Sequence, residues 1–166
     1  MGDRSMPSTS TLIGLRRAFL LVDPRGRLLV VDDEADIGRT LKGLLEGVLP
    51  VDVVVASSGA EGVEALRSQV FDLVISDFRM PLMDGLEFLR RAKELQPQTP
   101  RVLMTAYPDM DVAFQALERA SIVQFVTKPV DPDRLIELVR SNLEDVRRGR
   151  ARDAAFRRAA GPRAGA

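Results

Sequence analysis

The chain has 166 residues, 45% of them apolar and 29% charged, an ordinary mixture for one globular domain with tails. It contains neither cysteine nor histidine, which excludes disulfides, thiolate or imidazole metal sites and Ser-His-Asp chemistry. The net charge is zero but uneven: residues 146–166 carry +6, residues 1–26 carry +2, and residues 27–145 therefore carry −8. Any chemistry must use carboxylates, hydroxyls, lysine or a hard metal ion.

The first 26 residues open with serine, threonine, glycine and proline and show no sustained hydrophobic period. They therefore predict a mobile leader. No apolar run approaches the roughly 20 residues that a membrane-spanning helix needs. The apolar segment after Arg16-Arg17 stops at Asp23, which is too short for the core of an export signal. We expect a cytoplasmic protein with no membrane contact.

Five short runs downstream of the leader are apolar and rich in β-branched residues. Near-continuous apolarity, without alternation, is typical of strands that are covered on both faces. The predicted strands are 28–31, 51–56, 73–76, 101–105 and 122–127. Stretches with helical spacing separate them, at 37–48, 59–68, 85–95 and 110–117.

A last helix is predicted from Asp131, a suitable N-cap, with Pro132 in its first turn. Strands that alternate with helices indicate an α/β fold with right-handed crossovers. The favoured architecture is a doubly wound five-stranded parallel sheet in the flavodoxin-like order 2-1-3-4-5. We predict that the folded domain spans 27–147. Residues 148–166 then form a basic tail rich in arginine and alanine, either a frayed helix extension or a disordered segment.

Polar side chains follow four of the predicted strands. They are Asp32 and Asp33 after the first, Asp77 after the third, Thr105 at the end of the fourth and Lys128 after the fifth. Ligands of open parallel sheets bind at the carboxyl ends of the strands, so these groups should converge. Adjacent carboxylates raise each other's pKa unless a cation lies between them, and an oxygen-only cluster favours Mg²⁺.

A simpler interpretation treats each strand-end acid as a helix N-cap, which is common for any single aspartate. Matching residues at four strand ends favour a site. The motifs that carry this pattern are LLVVDDE (28–34), DLVISD (72–77), MPLMDG (80–85), TA (105–106) and KP (128–129). Together, in this order and spacing, they resemble the receiver domain of bacterial response regulators, over about residues 27–147.

The resemblance implies roles for the acidic residues. Asp77 matches the residue that accepts a phosphoryl group, which would make the chain a phosphoprotein carrying an aspartyl phosphate. Asp33 matches a direct Mg²⁺ ligand, and Asp32 matches the acid that holds the ion through water. The backbone carbonyl of Arg79 matches the remaining protein ligand.

The resemblance also implies roles for three residues on the fourth and fifth strands. Thr105 matches the hydroxyl that binds a phosphoryl oxygen on activation, and Lys128 matches the lysine that pairs with the phosphoryl group. Phe125 matches the aromatic residue that turns inward as the switch. The Lys128–Pro129 bond is expected to be cis, as in the family.

The implied partners are a sensor histidine kinase or phosphotransfer protein as donor, and a downstream protein that contacts residues 109–146. A second copy of the chain, forming a homodimer, could read the same face. The chain would catalyse only its own phosphoryl transfer and dephosphorylation. It lacks the second aspartate, two residues after Asp77, that phosphohydrolases of the haloacid dehalogenase type use.

Two other functions remain open. One is an interaction scaffold that works without phosphorylation. The other makes the arginine-rich tail a nucleic-acid arm, because basic segments neutralise phosphates. Phe156 is the tail's one aromatic residue, and this scarcity favours a solvated tail.

Overall fold

The computed structural model describes residues 25–106, 122 and 124–159. The predicted leader up to residue 24 and the predicted helix at 110–117 lie outside these residues. The strands are β1 (Gly26–Val31), β2 (Val51–Ala56), β3 (Leu73–Asp77), β4 (Arg101–Thr105) and β5 (Gln124–Thr127). The helices are α1 (Ala35–Val48), α2 (Gly59–Ser68), α3 (Gly85–Leu95) and α4 (Pro132–Ala159).

Within the described residues, the strands form one parallel sheet in the order β2-β1-β3-β4-β5. This confirms the predicted doubly wound fold. The strand bounds agree with the prediction for β2 and β4 and differ elsewhere. β1 begins two residues early, because Gly26 and Arg27 pair with the start of β2, and β3 extends by one residue to Asp77.

The prediction for the fifth strand was wrong at its start. Its first ladder pair joins Val102 to Gln124, so β5 covers 124–127 and not 122–127. Ile122 is 3% exposed and packs among the core side chains without joining the ladder. Its apolar character reflects this burial, which a periodicity argument cannot distinguish from a strand.

Two apolar layers cover the sheet, one on each face. Alternate residues of β1 separate them: Leu28 and Val30 belong to the layer with α1 and α4, while Leu29 and Val31 belong to the layer with α2 and α3. The near-continuous apolar strands follow from this double coverage. Val48, which ends the predicted helical stretch 37–48, is 55% exposed because it is also the last residue of α1.

Side chains of α1 cap the outer edge of β2, which is an edge strand of the sheet. The Glu46 carboxylate accepts the Val53 N–H at 2.8 Å, and the Lys42 ammonium donates to the Val53 carbonyl at 2.5 Å. Lys42 and Glu46 also pair with each other at 3.0 Å. Unpaired backbone groups on an edge strand attract other strands, so these caps close part of that edge.

Glu46→Ala is expected to lower the free energy of unfolding by about 1 kcal/mol, because the Val53 N–H loses a charged acceptor. The Val53 N–H bond first, and Lys42 second, lower the pKa of Glu46 from 4.5. A carboxylate with a lowered pKa stabilises the fold above its unfolded pKa, and this contribution is lost as the pH falls. In urea titrations, the free energies of unfolding of the wild type and of Glu46→Ala should therefore differ more at pH 7 than near pH 3.

Glu64→Ala is the matched control, because Glu64 forms an exposed ion pair with Arg67 on α2. Its effect should stay below about 0.5 kcal/mol at either pH. Equal losses for the two variants would show that the backbone cap contributes nothing of its own.

Helix α4 begins as predicted, since the Asp131 carboxylate accepts the Arg134 N–H at 3.0 Å and Pro132 is the first helical residue. The helix then runs without a break to Ala159, so residues 148–159 continue the same helix as the domain. Of the two forms considered for the tail, the helical extension is the one the described residues adopt. The Arg150 guanidinium pairs with Asp72 at 2.5 Å, and residues 151–159 are exposed. No described helix combines the length and apolar character needed to cross a bilayer.

Candidate functional site

The carboxyl edge of the sheet collects the predicted site residues. Asp32 follows β1, Asp77 ends β3, Thr105 ends β4 and Lys128 follows β5. These four strands are neighbours in the sheet order, with β3 between β1 and β4. The Lys128 N–H donates to the Thr105 carbonyl at 2.9 Å, which continues the β4–β5 pairing past the last ladder residue. The topology therefore brings together side chains separated by up to 96 positions.

Lys128 joins two of the acids. Its ammonium lies 2.6 Å from Asp77 Oδ1 and 3.1 Å from Asp32 Oδ2. Burial disfavours its charge, but the hydrogen bonds to Asp77 and Asp32 outweigh burial, so the pKa of Lys128 is raised. The ammonium is therefore charged at neutral pH. The Lys128–Pro129 peptide bond is cis, as predicted.

The three acids differ in exposure. Asp32 is fully buried, Asp77 is 6% exposed, and Asp33 is exposed. Burial raises the pKa of Asp32, although the Glu34 N–H at 2.9 Å from its Oδ1 and the Lys128 ammonium act in the opposite direction. Both Asp32 oxygens thus already have protein donors, whereas Asp33 is exposed to solvent.

The acid cluster fits a hard divalent cation. Asp32, Asp33 and Asp77 each offer a carboxylate oxygen, and these oxygens lie within 4.8 Å of one another. Among the described residues, the Lys128 ammonium pairs with Asp32 and Asp77, and the third carboxylate, that of Asp33, adds negative charge that a divalent ion would balance. Oxygen-only ligands suit Mg²⁺.

A shallow pocket opens beside this cluster. Its walls come from Asp33 after β1 and from the loop that follows β3, namely Phe78, Arg79, Met80, Pro81 and Asp84. The exposed Arg79, whose carbonyl was predicted as a metal ligand, thus shares a wall with Asp33. A ligand from solvent can therefore reach Asp33, whose carboxylate lies within 4.8 Å of those of Asp32 and Asp77.

The loop after β3 is fixed by α3. The Asp84 carboxylate accepts the Glu87 N–H at 2.8 Å as the N-cap, and the Gly85 N–H donates to the Phe78 carbonyl at 2.8 Å. A Cβ on Gly85 would lie 2.9 Å from the Phe78 Cα and closer still to the Asp77 carbonyl oxygen. In the sequence, Gly85 stands out only as the last residue of the motif MPLMDG. The Asp-Gly pair after a buried strand was the signal that could have revealed its role.

The described residues include Thr105 and Phe125, the two predicted switch residues, but only part of the predicted face 109–146. Thr105 is 4% exposed at the end of β4. Phe125 is half-buried and packs against the layer that contains α2 and α3, in register with Leu103 of β4. Of the predicted output face 109–146, residues 109–121 and 123 lie outside the described residues. The function of this face therefore stays a prediction.

An open parallel sheet of order 2-1-3-4-5, with three acids and a lysine at its carboxyl edge, defines a doubly wound α/β domain with its site at the switch point. The family model described as "Response regulator receiver domain" matches residues 28–140. The chain belongs to the response-regulator receiver domains of two-component signalling.

Two curated proteins are similar to the chain in sequence. The chain is 41% identical over 119 residues to the response regulator protein PilR of Pseudomonas aeruginosa, covering 72% of this chain and 26% of PilR. It is 38% identical over 115 residues to the DNA-binding transcriptional regulator NtrC of Escherichia coli, covering 69% of this chain and 24% of NtrC. The chain thus spans about a quarter of the length of these curated relatives.

Solved structures show the same fold. The signal receiver domain of an HD domain-containing protein from Pseudomonas fluorescens Pf-5 superposes with a TM-score of 0.72 at 33% identity, covering 79% of this chain and 96% of that one. A CheY-like receiver domain protein from Methanospirillum hungatei JF-1 gives a TM-score of 0.71 at 28% identity, covering 75% and 98%.

Proposed function

We propose that the chain accepts a phosphoryl group on Asp77 from a phosphohistidine of a sensor kinase or phosphotransfer protein. The main support is the placement of Asp77 Oδ1 2.6 Å from the Lys128 ammonium, beside the carboxylates of Asp32 and Asp33. The pocket next to Asp33 opens to solvent beside this cluster of carboxylates. The exchange takes place in the cytoplasm, as expected from the sequence.

In the proposed step, an Asp77 carboxylate oxygen attacks the phosphorus in line with the leaving nitrogen. The new O–P bond forms as the N–P bond breaks, and the imidazole keeps the bonding electron pair and takes up a proton. Lys128 offsets charge on the phosphoryl oxygens, and its bond to Asp32 holds it in place. With acetyl phosphate the same attack releases acetate.

The residues suited to hold Mg²⁺ are Asp33, Asp77 and the Arg79 carbonyl directly, with Asp32 acting through water. The ion would supply positive charge that neutralises the transferring phosphoryl group. Asp32 also positions the site, because its oxygens accept hydrogen bonds from the Glu34 N–H and from the Lys128 ammonium.

The proposed signal leaves through the face 109–146, read by a downstream protein or by a second copy of the chain. Thr105 would bind a phosphoryl oxygen, and Phe125, at the adjacent strand, would turn inward in response. The register of β4 and β5 supports this link, since Thr105 pairs with Thr127, two residues after Phe125. The chain acts on its own phosphoryl group and turns over no external substrate.

Incubation with Mg²⁺ and acetyl phosphate, followed by intact mass measurement, is expected to add one phosphate to the wild type. Asp77→Asn should gain none, because an amide cannot form the acyl phosphate. EDTA should reduce labelling of the wild type at least tenfold, because the cluster then retains unbalanced negative charge. Asp145→Asn, on the exposed surface of α4, is the matched control and should label as the wild type does.

Phosphate on Asp77→Asn as well as the wild type would move the acceptor elsewhere. No phosphate on the wild type, with Mg²⁺ shown to bind, would favour a scaffold that works without phosphorylation. That result would direct attention to the face 109–146 and the basic helix extension.

A further inference from the structure

Leu82 occupies a tight turn in the loop between β3 and α3. The Met83 N–H donates to the Pro81 carbonyl at 2.7 Å, which closes a three-residue turn around Leu82. The φ of Leu82 is 67°, and it is the one non-glycine residue with a positive φ in the described part of the chain. Glycine or asparagine adopts this backbone region readily, whereas a leucine side chain makes it strained.

The Leu82 side chain offers the fold no compensation. It is fully exposed, at 110% of its reference area, more than any other large apolar side chain among the described residues. A residue that is strained in its backbone and unpacked in its side chain does not stabilise the domain. Strain of this kind concentrates at binding and catalytic loops.

The neighbours of Leu82 hold it in this position. Met80 is 8% exposed within the core, and Met83 packs over Gly59, with its Sδ 2.7 Å from where a Cβ on Gly59 would lie. Asp84 then caps α3. Anchors on both sides therefore project Leu82 outward in a defined direction.

The turn borders the pocket beside Asp33, whose carboxylate lies within 4.8 Å of the Asp77 carboxylate. Pro81 and Asp84, which flank Leu82 and Met83, line the pocket together with Asp33. A protein that brings a phosphohistidine to Asp77 must cover this opening. The edge of the donor protein's contact surface then lies against Leu82. A small donor such as acetyl phosphate does not extend that far.

We propose that Leu82 is a specificity-determining contact for the protein that donates the phosphoryl group, and that it meets an apolar patch beside the donor histidine. This inference rests on the proposed function. An exposed, pre-positioned apolar side chain gains by being buried in a partner and loses no conformational freedom of its loop on binding.

The test compares two donors on the same variants. The protein donor is the autophosphorylated cytoplasmic core of a sensor kinase, chosen from several as the one that labels the wild type fastest. The small donor is acetyl phosphate. Leu82→Asn should slow labelling by the kinase core about tenfold, as for one good apolar contact, and leave acetyl phosphate labelling within about twofold. Leu82→Met, which keeps the apolar surface, should retain most of the kinase rate.

Leu82→Asn should also raise Tm, by about 2–4 °C, because asparagine tolerates the positive φ. Val70→Asn is the matched control: Val70 is 65% exposed and precedes β3, at the end of the sheet away from Asp77. It should change neither rate.

Several results would overturn the proposal. One is equal slowing with both donors, which would mean that Leu82 shapes the site itself. A second is a fall in the kinase labelling rate that is as large for Leu82→Met as for Leu82→Asn. A third is slower labelling of Val70→Asn by the kinase core. A fourth is a wild type that acetyl phosphate labels but no kinase core does. Failure of both donors on the wild type would instead refute the proposed function.

Discussion

Gly85→Ala is expected to lower the free energy of unfolding by about 3 kcal/mol, the upper end for overpacking. A Cβ at this position would lie 2.9 Å from the Phe78 Cα and would overlap the Asp77 carbonyl oxygen. Both atoms belong to backbone, which cannot swing aside as a flexible side chain can. The bond from the Gly85 N–H to the Phe78 carbonyl would also be forced open. Urea denaturation measures the loss, and acetyl phosphate labelling should fall with it because the clash is with Asp77 itself.

Gly43→Ala and Gly47→Ala are the controls, because a Cβ at either position on α1 meets no atom within 4 Å. Each should raise the free energy of unfolding by about 0.5–1 kcal/mol, since alanine favours a helix interior over glycine. A neutral Gly85→Ala would mean that the loop after β3 relaxes freely and does not fix Asp77.

Lys128→Met is expected to weaken the fold and slow the chemistry while strengthening Mg²⁺ binding. The substitution removes the cation 2.6 Å from Asp77 and 3.1 Å from Asp32 and leaves the buried Asp32 beside two further carboxylates. In EDTA, the free energy of unfolding should fall by about 3 kcal/mol, because a buried pair has lost one partner. Labelling by acetyl phosphate should slow about 100-fold or more, because a donor to the phosphoryl oxygens is lost.

The same variant should bind Mg²⁺ about tenfold more tightly, because the ion no longer shares the carboxylates with an ammonium. Calorimetric titration with MgCl₂ measures the affinity, and thermal melts with and without the ion should show greater stabilisation than in the wild type. Lys93→Met, on the last turn of α3, is the control and should change none of these quantities. Labelling of Lys128→Met within twofold of the wild-type rate would contradict the assigned role of the ammonium.

The sheet and the composition of its reactive edge could be predicted, because both follow from long-range regularities. Five apolar runs separated by helices imply a parallel sheet, and a parallel sheet places all its carboxyl ends together. Asp32, Asp77 and Lys128 therefore had to meet wherever the exact strand ends fell, and Lys128 contacts both acids.

Local detail was harder to predict. Ile122 is apolar because it is buried, which gave the fifth strand a false start. The continuation of α4 to Ala159 could not be separated from disorder, since alanine and arginine favour a helix but offer no apolar face to dock it. Apart from Pro81, the sequence around Leu82 does not indicate a turn, because leucine is not a residue that typically adopts a positive φ.

The pairing of Arg150 with Asp72 depends on tertiary position alone. Asp72 also accepts the Arg27 N–H at 2.7 Å, so one carboxylate joins the start of β1, the residue before β3 and the helix extension. No sequence pattern links these three places.

Helix α4 starts three residues after Pro129, reaches Asp72 before β3 through Arg150, and continues for nine exposed residues beyond it. At 1.5 Å per residue, its 28 residues form a rod about 42 Å long. A tilt of about 5° at the end near Lys128 would displace the far end by about 4 Å. One continuous helix therefore connects the neighbourhood of Lys128–Pro129 with an exposed, arginine-rich segment at the other end of the domain.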